Sequence, residues 1–259
     1  MQIPFPRLIA PFTGAIQCTR PAGGGAGGAV TALVEAEKGA FFVKGVPNRP
    51  GGLLDSVARE GLINPSLGGL APALLWRAEN EHWVVLGFEA VQGRRADFCP
   101  GSPDLAGVAE AVERIGAVEP PAVARGWGET RWDRFTDEAA LLGGDRLVYT
   151  DVQPDNLLIT TGGRVRVVDW EWPTVGAGFI TPACLAVQLI AAGHTPASAE
   201  DAVAGCRTWR KAQAEAVDAF AAANDRLHRW MAEARPEERW LKAMAEAAHR
   251  WAHYRGLKP

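Results

Sequence analysis

Residues 148–159 read VYTDVQPDNLLI, and residues 164–173 read RVRVVDWEWP. Asp151 stands five positions before Asn156, and the apolar run LLIT follows at 157–160. A second acid, Asp169, closes a run of valines, with Gly162-Gly163 separating the two apolar stretches. Two short apolar runs around a glycine pair predict a β-hairpin, which would return the second acid toward the first. Two carboxylates and a carboxamide are hard oxygen donors, the kind that suits magnesium, an ion that keeps several of its own waters. A carboxylate can also accept the proton of a hydroxyl attacking a phosphoryl group.

The chain around this stretch has 259 residues, enough for one large domain or two lobes with real cores. Its 47% apolar and 22% charged residues are ordinary for a soluble globular protein. A net charge of -3 provides no basic field for nucleic acid or an anionic membrane. Cys18, Cys99, Cys184 and Cys206 are scattered singly, without the spacing of a zinc site or a disulfide framework. FITPACLAVQLIAAG (179–193) is too short to span a bilayer, and MQIPFPRLIAPF lacks the apolar core of a signal peptide. A soluble, reduced, cytoplasmic protein is expected, monomeric or dimeric.

Upstream, the pattern is β-rich. AIQCT (15–19) reads as a strand. AVTALVEAE (29–37) and AFFVKGV (40–46) flank the turn dipeptide Lys38-Gly39. LLDSVAREGL (53–62) has helical apolar spacing, and ALLWRAENEHWVVLGFEAV (73–91) reads as two strands around a polar turn. Past Gly93 the texture becomes helical. SPDLAGVAEAVERIGAV (102–118) predicts a helix with Ser102 able to cap it. Ala-rich helices are expected from about 197 to 233 and from 236 to 255, broken at Pro236. The boundary is expected at 92/93, giving a β-rich unit over 1–92 and a mostly helical one over 93–259. Residues 1–93 carry seven basic and seven acidic side chains, so the whole net charge of -3 falls on 94–259.

The stretch VYTDVQPDNLLI…VVDWEWP resembles the catalytic and metal loops of the aminoglycoside phosphotransferase and choline kinase superfamily. The resemblance runs from about residue 15 to about 190 and is most specific at 148–172, where three polar residues and two strands agree in spacing. It implies an α+β, protein-kinase-like, two-lobed fold. It also implies an ATP-dependent (or GTP-dependent) and Mg2+-dependent kinase acting on a hydroxyl of a small molecule. Asp151 would orient and deprotonate the acceptor, and Asn156 and Asp169 would hold magnesium. Lys44, at the end of AFFVK, would grip the phosphates, with Glu60 of the following helix bracing it. Glu89 and Val91 would present backbone groups to adenine. Gln153, where the family usually has His, would reach the γ-phosphate through its amide.

Other departures surround the catalytic loop. Tyr149 replaces a usual His and Thr150 a Gly, and Cys184 falls near the position of an acid that braces the loop. The brace and the His are therefore expected to be lost together. Ten tryptophans are many for this length. Core packing accounts for most. Eight of them, from Trp127 to Trp251 and including Trp170 and Trp172, are expected in the second lobe. Trp172 is a candidate wall for the acceptor site, as are Trp127 and Trp132 just before the catalytic loop. A polycationic acceptor would require an acidic pocket, for which Glu200, Asp201, Asp218 and Asp225 are candidates.

Within the kinase reading an antibiotic acceptor is favoured by analogy, with choline, amino-alcohol and sugar kinases open. Two readings from other classes stand beside it. One is a pseudokinase that binds without catalysing. The other is a dinucleotide-dependent oxidoreductase, because RPAGGGAGGAV (20–30) contains G-x-G-x-x-G at Gly23, Gly25 and Gly28.

Overall fold

The computed structural model describes residues 3–23 and 28–257. The chain divides into two compact units, 1–93 with 166–172, and 94–165 with 173–259.

The first unit begins with helix α1 (Pro6–Thr13), which the three prolines of this segment did not suggest. Pro6 is tolerated in the first turn, where its missing N–H has no partner to lose. Strands β1 (Ile16–Pro21), β2 (Val30–Ala36) and β3 (Gly39–Pro47) follow, then helix α2 (Gly52–Leu67), β4 (Leu74–Glu79) and β5 (Trp83–Glu89). The five strands form one sheet in the order β1-β2-β3-β5-β4, with every neighbouring pair antiparallel. A dinucleotide fold needs parallel βαβ units, so the oxidoreductase reading fails here. Gly23 and Gly28 lie between antiparallel β1 and β2, and Gly25 lies outside the described residues.

Strand alternation gives the sheet two apolar faces. One packs Phe41, Val43, Trp76 and Val85 against Phe5 and Ile9. The other packs Val46, Val84, Leu86 and Phe88 against Val57 of α2. Gly45 is required by close approach, because a Cβ there would stand 2.3 Å from the Phe5 ring. Helix α2 continues past Gly61 and Pro65, beyond the expected stop at 62. Tertiary contacts override the weak local propensity: Ile63 and Leu67 are buried. Asn64 donates to the Pro72 carbonyl at 2.8 Å and accepts from the Leu74 amide at 2.7 Å.

The second unit starts along β6 (Gly93–Arg95) and helix α3 (Leu105–Ala117). Ser102 is not the cap: its hydroxyl accepts from the Asp104 amide, and the helix begins after Asp104. Strand β7 (Arg146–Val148), β8 (Leu157–Thr160) and β9 (Val165–Val167) come next, and β9 leads the chain into the 166–172 segment of the first unit. Back in the second unit, β10 (Thr174–Gly176) pairs antiparallel with β7. Five helices complete it: α4 (Ile180–Ala191), α5 (Pro196–Val203), α6 (Arg207–Arg210), α7 (Ala214–Ala234) and α8 (Arg239–Tyr254).

The expected helix over 197–233 is thus three helices. Gly205, a poor helix former, lies in the first break, where Cys206 is buried with its thiol 3.8 Å from the Ala109 carbonyl. The second break falls at Lys211–Gln213. Helix α4 is apolar nearly all round and correspondingly buried. Trp132, Phe179 and Trp251 surround Phe220, with ring centroids 4.7, 6.0 and 6.2 Å away. Among the described residues no helix is long and apolar enough to cross a membrane.

Candidate active site

In the first unit, β3 aligns Lys44 with Thr31 of β2 and Leu86 of β5. Alternation puts Lys44 on the same face as Phe42 and Val46, the face that α2 covers. Its side chain is buried, which is tolerable for an ammonium only with partners. Three carboxylates supply them. Nζ lies 3.0 Å from Glu60 Oε2, 2.5 Å from Asp169 Oδ1 and 2.6 Å from Glu171 Oε1. Burial opposes the Lys44 charge, but the three acids outweigh it and raise its pKa above the ordinary lysine value. Burial likewise pushes the Glu60 carboxyl up, against the pull of Lys44.

Glu60 also reaches the main chain. Its Oε1 accepts from the Trp170 amide at 3.1 Å, fixing the backbone beside Asp169. Asp169 has φ 62°, the one non-glycine residue at positive φ among those described. Such a conformation is costly for an L-residue and persists only when the surroundings impose it. Here Trp170 helps to impose it, its buried indole donating to the Val167 carbonyl at 3.0 Å.

Glu60, Asp169 and Glu171 place carboxylate oxygens within 4.8 Å of one another. One ammonium cannot neutralise three carboxylates. This donor set of hard oxygens with surplus negative charge fits a divalent cation such as magnesium. Glu171 was not among the sequence candidates. Its signal was present in DWEW, where it stands two positions after Asp169.

Trp170 and Trp172 belong to the first unit, not the second as the sequence suggested. They follow β9 directly, and the contacts of Lys44 and Glu60 hold that segment. Arg59 stacks over the Trp172 ring at 4.9 Å. Glu89 ends β5, with its carboxylate 3.6 Å from Arg166 Nη2 and its amide donating to the Ala73 carbonyl at 2.9 Å. Val91 is half-buried in the connection that follows.

In the second unit, β7 delivers Tyr149-Thr150-Asp151, and a 3-10 turn over Pro154–Asn156 leads into β8. This turn brings Asn156 back to Asp151. Asn156 Nδ2 donates to Asp151 Oδ2 at 2.6 Å and to the Asp151 carbonyl at 3.1 Å. The carboxamide nitrogen is thereby fixed, and the oxygen remains as the donor a metal would use. Gln153 also turns to Asp151, its Nε2 donating to Oδ1 at 2.9 Å. Asn156 is buried while Asp151 is exposed.

The support of this loop differs from what the sequence led us to expect. The Tyr149 amide donates to Thr181 Oγ1 at 3.0 Å. Arg131 donates to the Thr150 hydroxyl. Behind it, buried Glu129 accepts from the Arg131 amide at 2.8 Å and from Thr174 Oγ1 at 2.5 Å. The segment carrying both is pinned to β10, with the Glu129 amide on the Val175 carbonyl at 2.9 Å and the Val175 amide on the Trp127 carbonyl at 2.7 Å. The Cys184 thiol is pushed up to about 12, chiefly by burial, with Arg131 opposing and Glu129 and Asp151 adding to the rise. It stays protonated and neutral. A buttress therefore exists, built from Arg131 and Glu129 of the preceding loop.

Four other candidates resolve differently. Trp132 is a core residue, its indole donating to Asn224 Oδ1 at 3.1 Å. Glu200 and Asp218 are ion-paired with Arg255, each at 2.6 Å, and buried Asp225 is 2.6 Å from Arg229.

No family model and no curated protein matches this sequence. Solved structures do. An aminoglycoside phosphotransferase from Alicyclobacillus acidocaldarius superposes with a TM-score of 0.66 at 16% identity, over 99% of this chain and 96% of that one. A choline kinase from Streptococcus pneumoniae gives 0.65 at 11% identity, over 96% and 97%. The fold is that of the aminoglycoside phosphotransferases and choline kinases. It is α+β and protein-kinase-like, and it extends over nearly the whole chain. A spectinomycin phosphotransferase solved with ADP and spectinomycin shares it, with a TM-score of 0.60 at 10% identity, over 95% of this chain and 92% of that one.

Proposed function

We propose that this chain is an ATP- and magnesium-dependent phosphotransferase that phosphorylates a hydroxyl of a small molecule. The observation that carries the reading is the strained, three-acid arrangement around Lys44: a buried ammonium, a strand-end acid at positive φ, and surplus carboxylate oxygens. Phosphoryl transfer requires little covalent chemistry of a protein and much positioning and charge.

Lys44 takes the phosphate oxygens, and Glu60 keeps its ammonium aimed when those oxygens displace Asp169 and Glu171 from it. Asp169 and the carboxamide oxygen of Asn156 are the metal donors. Magnesium, when bound with the nucleotide, neutralises charge on the phosphate oxygens. Glu89 and Val91 present backbone groups to adenine. Asp151 aims the acceptor hydroxyl and accepts its proton, held in one rotamer by Asn156 and Gln153. Gln153 orients the carboxylate, and its amide is also the group we assign to the γ-phosphate when nucleotide is bound. The spectinomycin enzyme's ADP complex supports a nucleotide in this fold. An antibiotic is the acceptor we favour, and the cytoplasm, where ATP is abundant, is the location.

The test is incubation with Mg·ATP and a panel of hydroxylated antibiotics, amino alcohols and sugars, read as gain of one phosphoryl mass. Asp151→Ala should lower turnover by roughly 10²–10⁴ while Mg·ATP still binds. Asp169→Ala should remove magnesium-dependent nucleotide binding. Normal Mg·ATP binding by that variant sinks the metal assignment. Intact binding with no transfer to any acceptor and no slow ATP hydrolysis would favour the pseudokinase reading.

A further inference from the structure

The second unit carries a groove of about 580 Å³ whose lining includes Asp151 and Gln153. Its volume is within the range of small-molecule sites, roughly 300–1,000 Å³. The rest of the lining comes from Phe98 ahead of α3, Gln188 and Ala191 on α4 with Ala192 just after it, and Trp240 with Met244 on α8. Trp240 is 54% exposed, and its indole nitrogen is held by Glu238 Oε2 at 2.6 Å. The ring borders the groove, and the Arg235 guanidinium lies over it at 6.0 Å from the ring centroid, a further cation set against a polycationic ligand.

Charge is scarce among the described lining residues. Two acids are present, Asp151 and Asp155, and no lysine, arginine or histidine. Asp155 is 2.8 Å from Arg95 Nη1, and Asp151 is the residue assigned to the reacting hydroxyl. Of the four acids considered for a polycation, Glu200 and Asp218 are paired with Arg255 and Asp225 with Arg229, while exposed Asp201 is not among the lining residues of the groove. A molecule with several ammonium groups would find at most the two lining carboxylates, one already paired with Arg95 and the other assigned to the reacting hydroxyl, fewer than its charges require.

We infer that this groove takes a hydroxyl-bearing molecule that is uncharged or singly charged and lays an apolar or ring-bearing face on Trp240 and Met244. Its hydroxyl points to Asp151. The inference rests on the phosphotransferase reading and narrows it: the acceptor is amphipathic, not a polycationic aminoglycoside.

Calorimetry on the full chain tests it, with magnesium and a non-hydrolysable ATP analogue present. The probes are chloramphenicol and erythromycin on one side and, on the other, kanamycin, which is polycationic, and choline, which has a single charge but no apolar or ring-bearing face. At least one of the first pair should bind roughly 10-fold tighter than either of the second, and Trp240→Ala should weaken it by about the same factor. Gln188→Glu should shift the preference toward kanamycin. Tighter binding of kanamycin or choline overturns the inference, as does a Trp240→Ala variant that binds the first pair unchanged, or no binding of either member. The nucleotide analogue titrated alone separates the two levels. If it binds and kanamycin is preferred, the inference falls and the phosphotransferase reading stands. If it does not bind, that reading falls and takes the inference with it.

Discussion

Arg131 donates a hydrogen bond to the Thr150 hydroxyl, one residue before Asp151. Glu129 holds the guanidinium from behind, with its own carboxylate buried and bonded to Thr174. The pair therefore holds the backbone next to Asp151, and under the proposed function it acts by positioning. Arg131→Ala should lower kcat by roughly 10²-fold, the scale of a displacement of about 1 Å, with KM for ATP nearly unchanged. Arg131→Lys should recover part of it, because an ammonium can still reach the hydroxyl. Steady-state kinetics beside melting temperatures separates positioning from unfolding. A folded Arg131→Ala protein with unaltered kcat refutes the role.

Glu171 shares Lys44 with Glu60 and Asp169. Under the proposed function, phosphate would take the ammonium and leave Glu171 beside Asp169, the proposed metal donor, where its charge would favour a cation. Glu171→Gln keeps the shape and removes the charge. It should weaken magnesium roughly 10- to 100-fold, as loss of a supporting carboxylate does at other metal sites. A magnesium titration at fixed ATP analogue reads this directly, and an unchanged midpoint would exclude Glu171 from the metal's surroundings.

Local spacing carried most of what the sequence revealed. Asp151 and Asn156 meet through a single turn, so their i, i+5 interval is itself the structural signal. The Lys44–Glu60 pairing was legible only through the family resemblance, because a strand lysine and a helix glutamate taken alone read as ordinary surface charges. The Arg131–Glu129 buttress was not legible. Its partners, Thr150 and Thr174, are 19 and 45 residues away, and nothing in ARGWGETRW marks the glutamate for burial behind a half-buried arginine. The same limit explains Trp170 and Trp172, which long-range bonds to α2 draw into the first unit. Helix ends failed for another reason. Alanine favours helix on either side of Gly205, but burying Cys206 against α3 requires a turn there. Glu171 was visible and simply unassigned: two positions on from Asp169, it reaches the same ammonium.

Gly45 makes a stability prediction. A Cβ at this position would meet the Phe5 ring at 2.3 Å, on the apolar face that also buries Ile9 and Val43. Gly45→Ala should cost about 1–3 kcal/mol by overpacking, lowering Tm by about 2–4 °C per kcal/mol in a chain of this size. Phe5→Leu, combined with it, should return part of the loss by clearing the ring. Thermal unfolding of the two single variants and the double variant checks this, and strictly additive losses would show that the clash is not with Phe5.

Asp104 gives the acid end of the stability profile. Its carboxylate accepts two bonds from Arg94, at 2.5 and 2.7 Å, and one from the Asp97 amide at 2.9 Å, joining the start of α3 to the strand that opens the second unit. The Arg94 hydrogen bonds, with the Asp97 amide, lower its pKa from 3.8 to about 2. A carboxylate with a lowered folded pKa contributes stability that is fully present above its unfolded pKa and disappears as pH falls through the folded one. The contribution is therefore whole above about pH 4 and lost on the way to about pH 2. Asp104→Asn removes the charge at every pH. Denaturant unfolding of both proteins should show a gap that is constant from about pH 7 to about 5, narrows below about 4 and closes near about 2. A gap that stays constant down to about pH 2 would mean that Arg94 does not hold the ionised carboxylate.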